Sequence, residues 1–547
     1  MLRLVAIALL VITLGAPGPA LAVAPLTRAC QAPPLPPPAG AVVEVTTEAE
    51  LQAAVASLAS GTTVLLRPGV YVLTSTLWLD GDVDHVAIRG STDSCDAAVL
   101  VGRGMANADF GGVPHGIWIG NARHVLVANL TIRDVYYHPV QLDPAAGAHA
   151  PRVYNVRMVD AGEQFVKSSA DAQGGPGVAD GVVEYSVMEY TTTARSDYTN
   201  GVDVHTGANW VVRNNLFRNI RAPEGQLAGP AVLMWNRSVN TIVEGNLFLN
   251  VQYGIALGLD PGRLDDHAGG IVRNNVFHRS SAQSGDVGIV VNNSAGTRVL
   301  HNTVILSGTY PNAIEYRFAA TTGVDIRYNL TDAAVRQRDG ASGTVSSNVT
   351  DAPPHWFVDA GAGDLHLTAA AAGAIDQAAP LPEVTLDYDG EPRSSGAAPD
   401  VGADEVGPGS PAPLVVTVAV NQASFAPGST LSASVGVVNP GLPDVVEFYL
   451  GVLLPGAQTV VLLTEGGGVS QAPAVDVAAF PPVARNVSLA GPFAVSVPGF
   501  LVHTWTGGEP RGAYLLFLVA VRPGALADGA VDPGDLLAAG VASFVFP

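Results

Sequence analysis

Three segments decide the fold: WVVRNNLF (210–217), TIVEGNLF (241–248) and GIVRNNVF (270–277). Each alternates apolar and polar residues around an asparagine, the period-two pattern of a half-buried strand. Weaker copies extend the series in both directions, as HVLVANLTI (124–132), RVYNVRM (152–158), VVEYSVM (182–188), RVLHNTV (298–304) and DIRYNLT (325–331). The marker positions 129, 155, 186, 215, 246, 275, 302 and 329 lie 26 to 31 residues apart, with Ser186 the one exception to asparagine. An earlier strand lies inside each period: GIWIGN (116–121), PVQLD (139–143), QFVKS (164–168), GVDVH (201–205), AVLMWN (231–236), GIALG (254–258), GIVVN (288–292) and AIEYR (313–317). Each period therefore reads as strand, turn, Asn-bearing strand, turn. A unit this short cannot bury an apolar face alone and must stack on its neighbours, which predicts a parallel β-solenoid. The recurring asparagines suit a ladder of side-chain amides that satisfies turn backbone groups from coil to coil.

The whole chain agrees with an all-β reading. Its 547 residues exceed one compact core, and 61 Gly, 40 Pro and only 14% charged residues describe short strands and turns. Met1-Leu2-Arg3, the apolar run Leu4 to Leu14 and Pro19-Ala20-Leu21-Ala22 have the pattern of a secretory signal over residues 1–22, cleaved after Ala22. A secreted protein, extracellular or periplasmic, is expected, with a Pro-rich segment over 23–44. No later run reaches the ~18 apolar residues that cross a bilayer, so no transmembrane segment is expected. Cys30 and Cys95, an even pair in an exported chain, predict one disulfide, with two separate buried thiols as the alternative. A net charge of −21 with scattered basic residues argues against nucleic acid as a partner. An acidic polysaccharide would need a local cationic pocket or a bound divalent ion such as Ca2+.

The repeat resembles the bacterial secreted right-handed parallel β-helix proteins, the pectate-lyase-like group that includes pectate lyases, chondroitinase B and alginate lyases. Two further stretches carry the resemblance. Leu51, Val55 and Leu58 stand at helical spacing after Thr47-Glu48-Ala49-Glu50 and before GTTVLLRPGVY (61–71), like the helix that caps the first coil in such proteins. DYDGEPRSSGAAPDVGADEV (387–406) is similar to their closing signature. The resemblance implies a right-handed parallel β-helix with an N-terminal capping helix over residues 45–405. A linker at 406–413 follows, and alternating segments such as VVEFYLGVLL (445–454) and GAYLLFLVAV (512–521) predict an immunoglobulin-like β-sandwich over 414–547.

Lys167 is the only lysine in the chain, and every other basic side chain is arginine. An amine can be tuned by burial and neighbours, whereas arginine cannot be usefully deprotonated. The alternation around Phe165-Val166-Lys167 leaves its direction open. If Val202 and Val204 point inward, Asp203 and His205 face out, one coil of about 4.8 Å from Lys167. The resemblance implies a lysine acting in β-elimination on a polyuronate, with arginine and often calcium beside it. Lys167 is then base or electrostatic catalyst, His205 acid or base, Asp203 its orienting group and Arg195 the uronate holder. Asp203, Glu163 and Asp180 are candidate oxygen ligands for a metal ion. Gln141, His138, Tyr137, Tyr198, Trp235 and Asn236 are candidate sugar contacts, the rings because they stack on sugar faces. Asn200-Gly201-Val202-Asp203 only partly echoes the lyase motif, with aspartate where glutamate is wanted, and the paired Asp motifs and Gly-His-Gly of polygalacturonases are absent.

Three function classes follow. The first is an exported polysaccharide-binding protein that cleaves an acidic glycan by β-elimination. The second is a glycoside hydrolase. The third is a non-catalytic surface or adhesion protein attached to the cell envelope through its C-terminal domain.

Overall fold

The computed structural model describes residues 32–407, 414–439, 445–489, 493–529, 531 and 536–547. The signal-peptide and cleavage expectations at 1–22, the residue Cys30 and linker residues 408–413 lie outside the described residues. Cys95 is buried and disulfide-bonded.

The chain forms two units. One runs to Pro353 and adds Ala372–Gly407; the other comprises Pro354–Ala371 and the residues beyond Gly407. The sequence expectation had placed 354–371 in the solenoid. That segment instead holds a small antiparallel hairpin, Phe357–Asp359 with Asp364–Leu367, whose strands pair with each other and with no coil.

The first unit is a solenoid. Its front face is a ten-stranded sheet whose strands follow one another in chain order from Leu77–Leu79 to Ala334–Arg338. The middle of this sheet contains Val140–Leu142, Val166–Ser168, Val202–His205 and Val232–Trp235, all paired in parallel. Alternation decides which residues enter the core: Val140, Val166, Val202, Val232, Ile255 and Ile289 stack in register and are fully buried. Opposite them, Phe217, Phe248 and Phe277 stack nearly parallel at centroid separations of 4.7 and 4.2 Å.

The Asn-bearing strands differ from expectation. From residue 182 onward each is two short strands, such as Val211–Arg213 and Leu216–Arg218, separated by a bend. The residue before the marker takes a left-handed conformation, with φ of +53° at Tyr185, +54° at Asn214, +62° at Gly245 and +53° at Asn274. The marker amide then satisfies the backbone that the bend exposes. Asn246 Nδ2 donates to Val212 O and to Asn275 Oδ1, and its backbone N–H also donates to Asn275 Oδ1. The pattern repeats from Asn215 to Asn329 and ends on Asn348. Asn129 and Asn155 are not part of it. Tyr154 pairs with Glu184 and Arg157 with Val187, so Asn155 stands opposite the bend residue Tyr185, one place before Ser186. Both asparagines carry the positive φ themselves, +54° and +53°.

Helix Glu48–Ala56 packs on the first strands with Leu51 and Val55 buried. It opens with a capping box: Glu50 N–H donates to Thr47 Oγ1, and Thr46 and Thr47 N–H groups donate to Glu50 Oε2. Residues 387–406 lie along the later coils through a buried Arg393, whose guanidinium donates to Asn274 Oδ1, Gly402 O and Ala403 O.

The second unit contains antiparallel sheets of three and six strands whose facing side chains, among them Leu431, Phe448, Trp505, Leu516, Phe544 and Phe546, form one apolar core. This is a β-sandwich. Among the described residues no helix is long and apolar enough to cross a membrane.

Candidate functional site on the front sheet

Register brings Gln141, Lys167, Asp203 and Leu233 side by side across adjacent coils, and sets Trp235 beside His205. Their neighbours Val166, Ser168, Val202 and Val204 point into the coil, so these side chains project from the outer face of the front sheet. Lys167 Nζ donates to Asp203 Oδ2 at 2.5 Å and to His205 Nε2 at 3.1 Å. Trp235 Nε1 donates to Asp203 Oδ1 at 3.0 Å, and its ring lies 4.5 Å from the imidazole. The Asn236 amide stands 3.4 Å from His205 Nδ1. The Tyr198 ring, largely exposed, lies 5.9 Å from the ammonium.

The cluster is less open than a bare groove. Lys167 and Asp203 keep only 6% and 3% side-chain exposure, while His205 keeps 17% and is the member that reaches solvent. Burial, reinforced by the Lys167 charge and opposed by Asp203, lowers the His205 pKa to about 4. The imidazole is therefore neutral near pH 7. Because lysine can only donate, Nε2 is the acceptor and the ring proton sits on Nδ1, which requires Asn236 to turn its amide oxygen rather than Nδ2 towards that atom.

A second group adjoins the first. Arg195 donates to Glu163 Oε1 and Met105 O, each at 3.2 Å, and its guanidinium stacks 3.9 Å from the Tyr136 centroid. Glu163 Oε2 lies 3.7 Å from His138 Nε2. Burial raises the Glu163 pKa despite the pull of Arg195 and Lys167. Burial also drives His138 well below the usual imidazole range, aided by the charges of Lys167 and Arg195. Tyr137 packs between Phe110, Tyr136 and His115.

His115 was missed from sequence. It stacks on His138 at 5.2 Å and 15°, burial lowers its pKa to about 4, and its Nδ1 has no hydrogen-bond partner among the described residues. The available signal was the repeat itself: His115-Gly116 and His138-Pro139 precede the first strand in consecutive coils.

Arg195 is held by Glu163 and an aromatic face, with two hydrogen bonds given by a guanidinium that has five N–H groups. One expectation is corrected. Asp203, Glu163 and Asp180 do not converge as metal ligands. Asp203 gives both oxygens to N–H donors, Glu163 engages Arg195, and Asp180 sits at another corner of its coil, accepting from Asn209 Nδ2 at 3.1 Å. Calcium needs six to eight converging oxygens, and these residues do not fit it. Gln141 turns its amide to Leu142 O and Ser169 Oγ beside the cluster.

A cleft of about 650 Å³ lies away from this cluster, between Tyr185, Arg213, Glu244, Arg273 and residues 383–390. Its arginines are neutralised by Glu184 and Glu244, with contacts of 2.7 and 2.5 Å. The Lys167 cluster has the unspent chemistry.

The family model described as right handed beta helix region matches residues 105–336. The coil therefore is a right-handed parallel β-helix. Among solved structures, the alginate lyase from Paenibacillus sp. str. FPU-7 is 16% identical over 57% of this chain and 98% of its own, with a TM-score of 0.35. Pectate lyase Pel9A is 14% identical over 66% and 96%, TM-score 0.43. The endo-xylogalacturonan hydrolase from Aspergillus tubingensis is 14% identical over 57% and 100%, TM-score 0.35. No curated protein matches the chain.

Proposed function

We propose that this chain is an exported polysaccharide-acting β-helix protein whose centre is Lys167, Asp203 and His205, and that it cleaves an acidic glycan by β-elimination. The observation that carries the reading is the buried Lys167–Asp203 ion pair donating to the imidazole of the same cluster that reaches solvent. Export rests on the leader pattern at residues 1–22.

The chemistry follows from donor counting. An ammonium has three N–H groups, and Asp203 and His205 take two of them. A uronate carboxylate accepting the third would draw Nζ towards itself and release His205 Nε2. That nitrogen then takes the proton α to the carboxyl group. Charge gathers on the carboxylate beside Lys167, and the β C–O bond breaks with its electron pair on the oxygen of the neighbouring sugar. That oxygen takes the proton from the His205 imidazolium and leaves as an alcohol, and the uronate keeps the new C=C bond. Asp203 and Trp235 fix the ammonium. Tyr137 and Tyr198 supply stacking faces. No step needs calcium.

The test is incubation of the secreted protein with alginate, pectate and glycosaminoglycans, following ultraviolet absorbance of the unsaturated product together with reducing ends. Absorbance that rises with reducing ends and vanishes in His205→Gln supports elimination. Reducing ends without absorbance would turn the reading to hydrolysis, for which Glu163, its pKa raised by burial, is the candidate acid. Neither signal on any glycan sinks both.

A further inference from the structure

We propose a second site, a transition-metal site suited to Zn2+, made by Asp84, His85 and His124 at a corner of the early coils. Strand Val83–Asp84 pairs in parallel with Ala122–Arg123 of the next coil, so His85 and His124 fall beside each other. Their rings stack at 4.4 Å and 23°. Asp84 Oδ1 lies 2.9 Å from His85 Nδ1 and 2.7 Å from His124 Nδ1. All three donor atoms fall within 4.8 Å of one another.

Two imidazole nitrogens and one carboxylate oxygen are a zinc donor set, with a fourth position for water. The set is too rich in nitrogen and too few in oxygens for calcium or magnesium. With bonds of about 2.0–2.1 Å in a tetrahedron, donors stand about 3.3 Å apart, so His124, whose Nδ1 already points at Asp84 Oδ1, need only draw back by about half an ångström, while the His85 ring also turns to aim its Nδ1 at the ion. With the ion bound, each ring carries its proton on Nε2 and offers Nδ1 to the metal. The side chains of His85, His124 and Asp84 are 70%, 45% and 36% exposed, so the ion enters without any opening of the fold.

The corner itself does not require histidine. His85 and His124 adopt left-handed φ values of +53° and +48°, and at the same corner in later coils the chain places Asp180, Asn209, Asn240 and Gly269, all with positive φ. Short polar residues or glycine suit that backbone. Behind the pair, the His149 ring meets His124 edge-on at 6.0 Å, with Nε2 3.7 Å from Asp180 Oδ2. A bound ion would clamp two successive coils near the capped end.

The experiment uses the full chain without a histidine tag, stripped with chelator and titrated with ZnCl2 by calorimetry, with native mass spectrometry counting bound metal and CaCl2 as control. His85→Asn and His124→Asn place at this corner the residue that later coils use there, so both should fold. Each is expected to bind one zinc fewer per chain than the parent and to lose its zinc-dependent rise in Tm. A zinc count unchanged in both variants, no zinc bound by the parent, or calcium competing at equal concentration would overturn the site and leave the trio a simple imidazole–carboxylate pairing.

Discussion

Lys167 is held by a partner as deeply buried as itself, and that fixes what its removal does. Breaking one side of a buried ion pair leaves the other charge without compensation and costs about 3–5 kcal/mol, whereas replacing both sides by apolar groups can be nearly neutral. Lys167→Met should therefore destabilise by about 3–5 kcal/mol in urea unfolding, and Lys167→Met with Asp203→Leu should recover most of the loss. A single-mutant cost below about 1 kcal/mol would class the pair with solvated surface bridges. His205 gives a different readout. Its pKa of about 4 keeps the imidazole neutral through mildly acidic conditions. If it is the proton acceptor, turnover should hold as pH falls through the ordinary histidine range near 6.5 and fail only as pH approaches about 4. A pH–rate profile that drops by half near 6.5 would remove His205 from that role.

At the scale of the element, the asparagine ladder shows what one side chain per coil does for a stack. Asn246 is fully buried and receives both the backbone N–H and the amide of Asn215. Asn246→Ala would strand those two donors, while the Asn275 oxygen keeps the backbone N–H of residue 246, at about 1–3 kcal/mol for each buried group left unsatisfied. The terminal Asn348 is only partly buried, so Asn348→Ala should cost distinctly less in the same urea titration. Equal losses would mean the ladder adds nothing beyond its neighbours. The ladder also marks where sequence reading succeeds and stops. Asparagine recurrence and alternation revealed the coils and the front strands, because stacking repeats the same demand at the same position. They did not reveal the bend inside each marker strand. That bend depends on one positive-φ residue, and this corner accepts Tyr185, Asn214, Gly245 and His301 alike. The 31-residue step from 155 to 186 hid a slip of one position for the same reason. Register put the strand of Lys167 next to Asp203 and His205 while alternation left the direction of its side chain open, and Asp180 was misplaced because proximity in a solenoid follows position along the coil, not distance along the chain.

At the scale of the whole solenoid, opposing groups of buried titratable residues set its response to pH. Burial lowers His115 and His205 to about 4 and His267 and His301 to about 3, against an ordinary 6.5. The unfolded chain takes up these protons first, so the stability carried by the neutral rings is complete above about 6.5 and is lost as pH falls towards the folded values. Around Arg393 the sign reverses. Burial raises Asp387 to about 6 and Glu405 to about 7. The folded state holds those protons longer, and the stability they carry is lost as pH rises through the same values. Four depressed imidazoles outweigh two raised carboxyls over the shared interval, so stability should climb from about pH 4.5 to about 6.5. Above about 6.5 the unfolded imidazoles still release slightly more protons than the folded Asp387 and Glu405, so the climb slows and levels off without turning over. Calorimetry of the solenoid transition from about pH 4 to 8 should therefore show a steep rise that flattens to a plateau by about pH 7.5. Glu405→Gln keeps an acceptor for the Asp400 N–H but cannot ionise, so it removes an opposing term and should steepen the rise between about pH 5 and 7.5. A Glu405→Gln curve with the same slope as the parent would show that Glu405 is already ionised in the fold, and that the Arg393 guanidinium outweighs the burial of its neighbour.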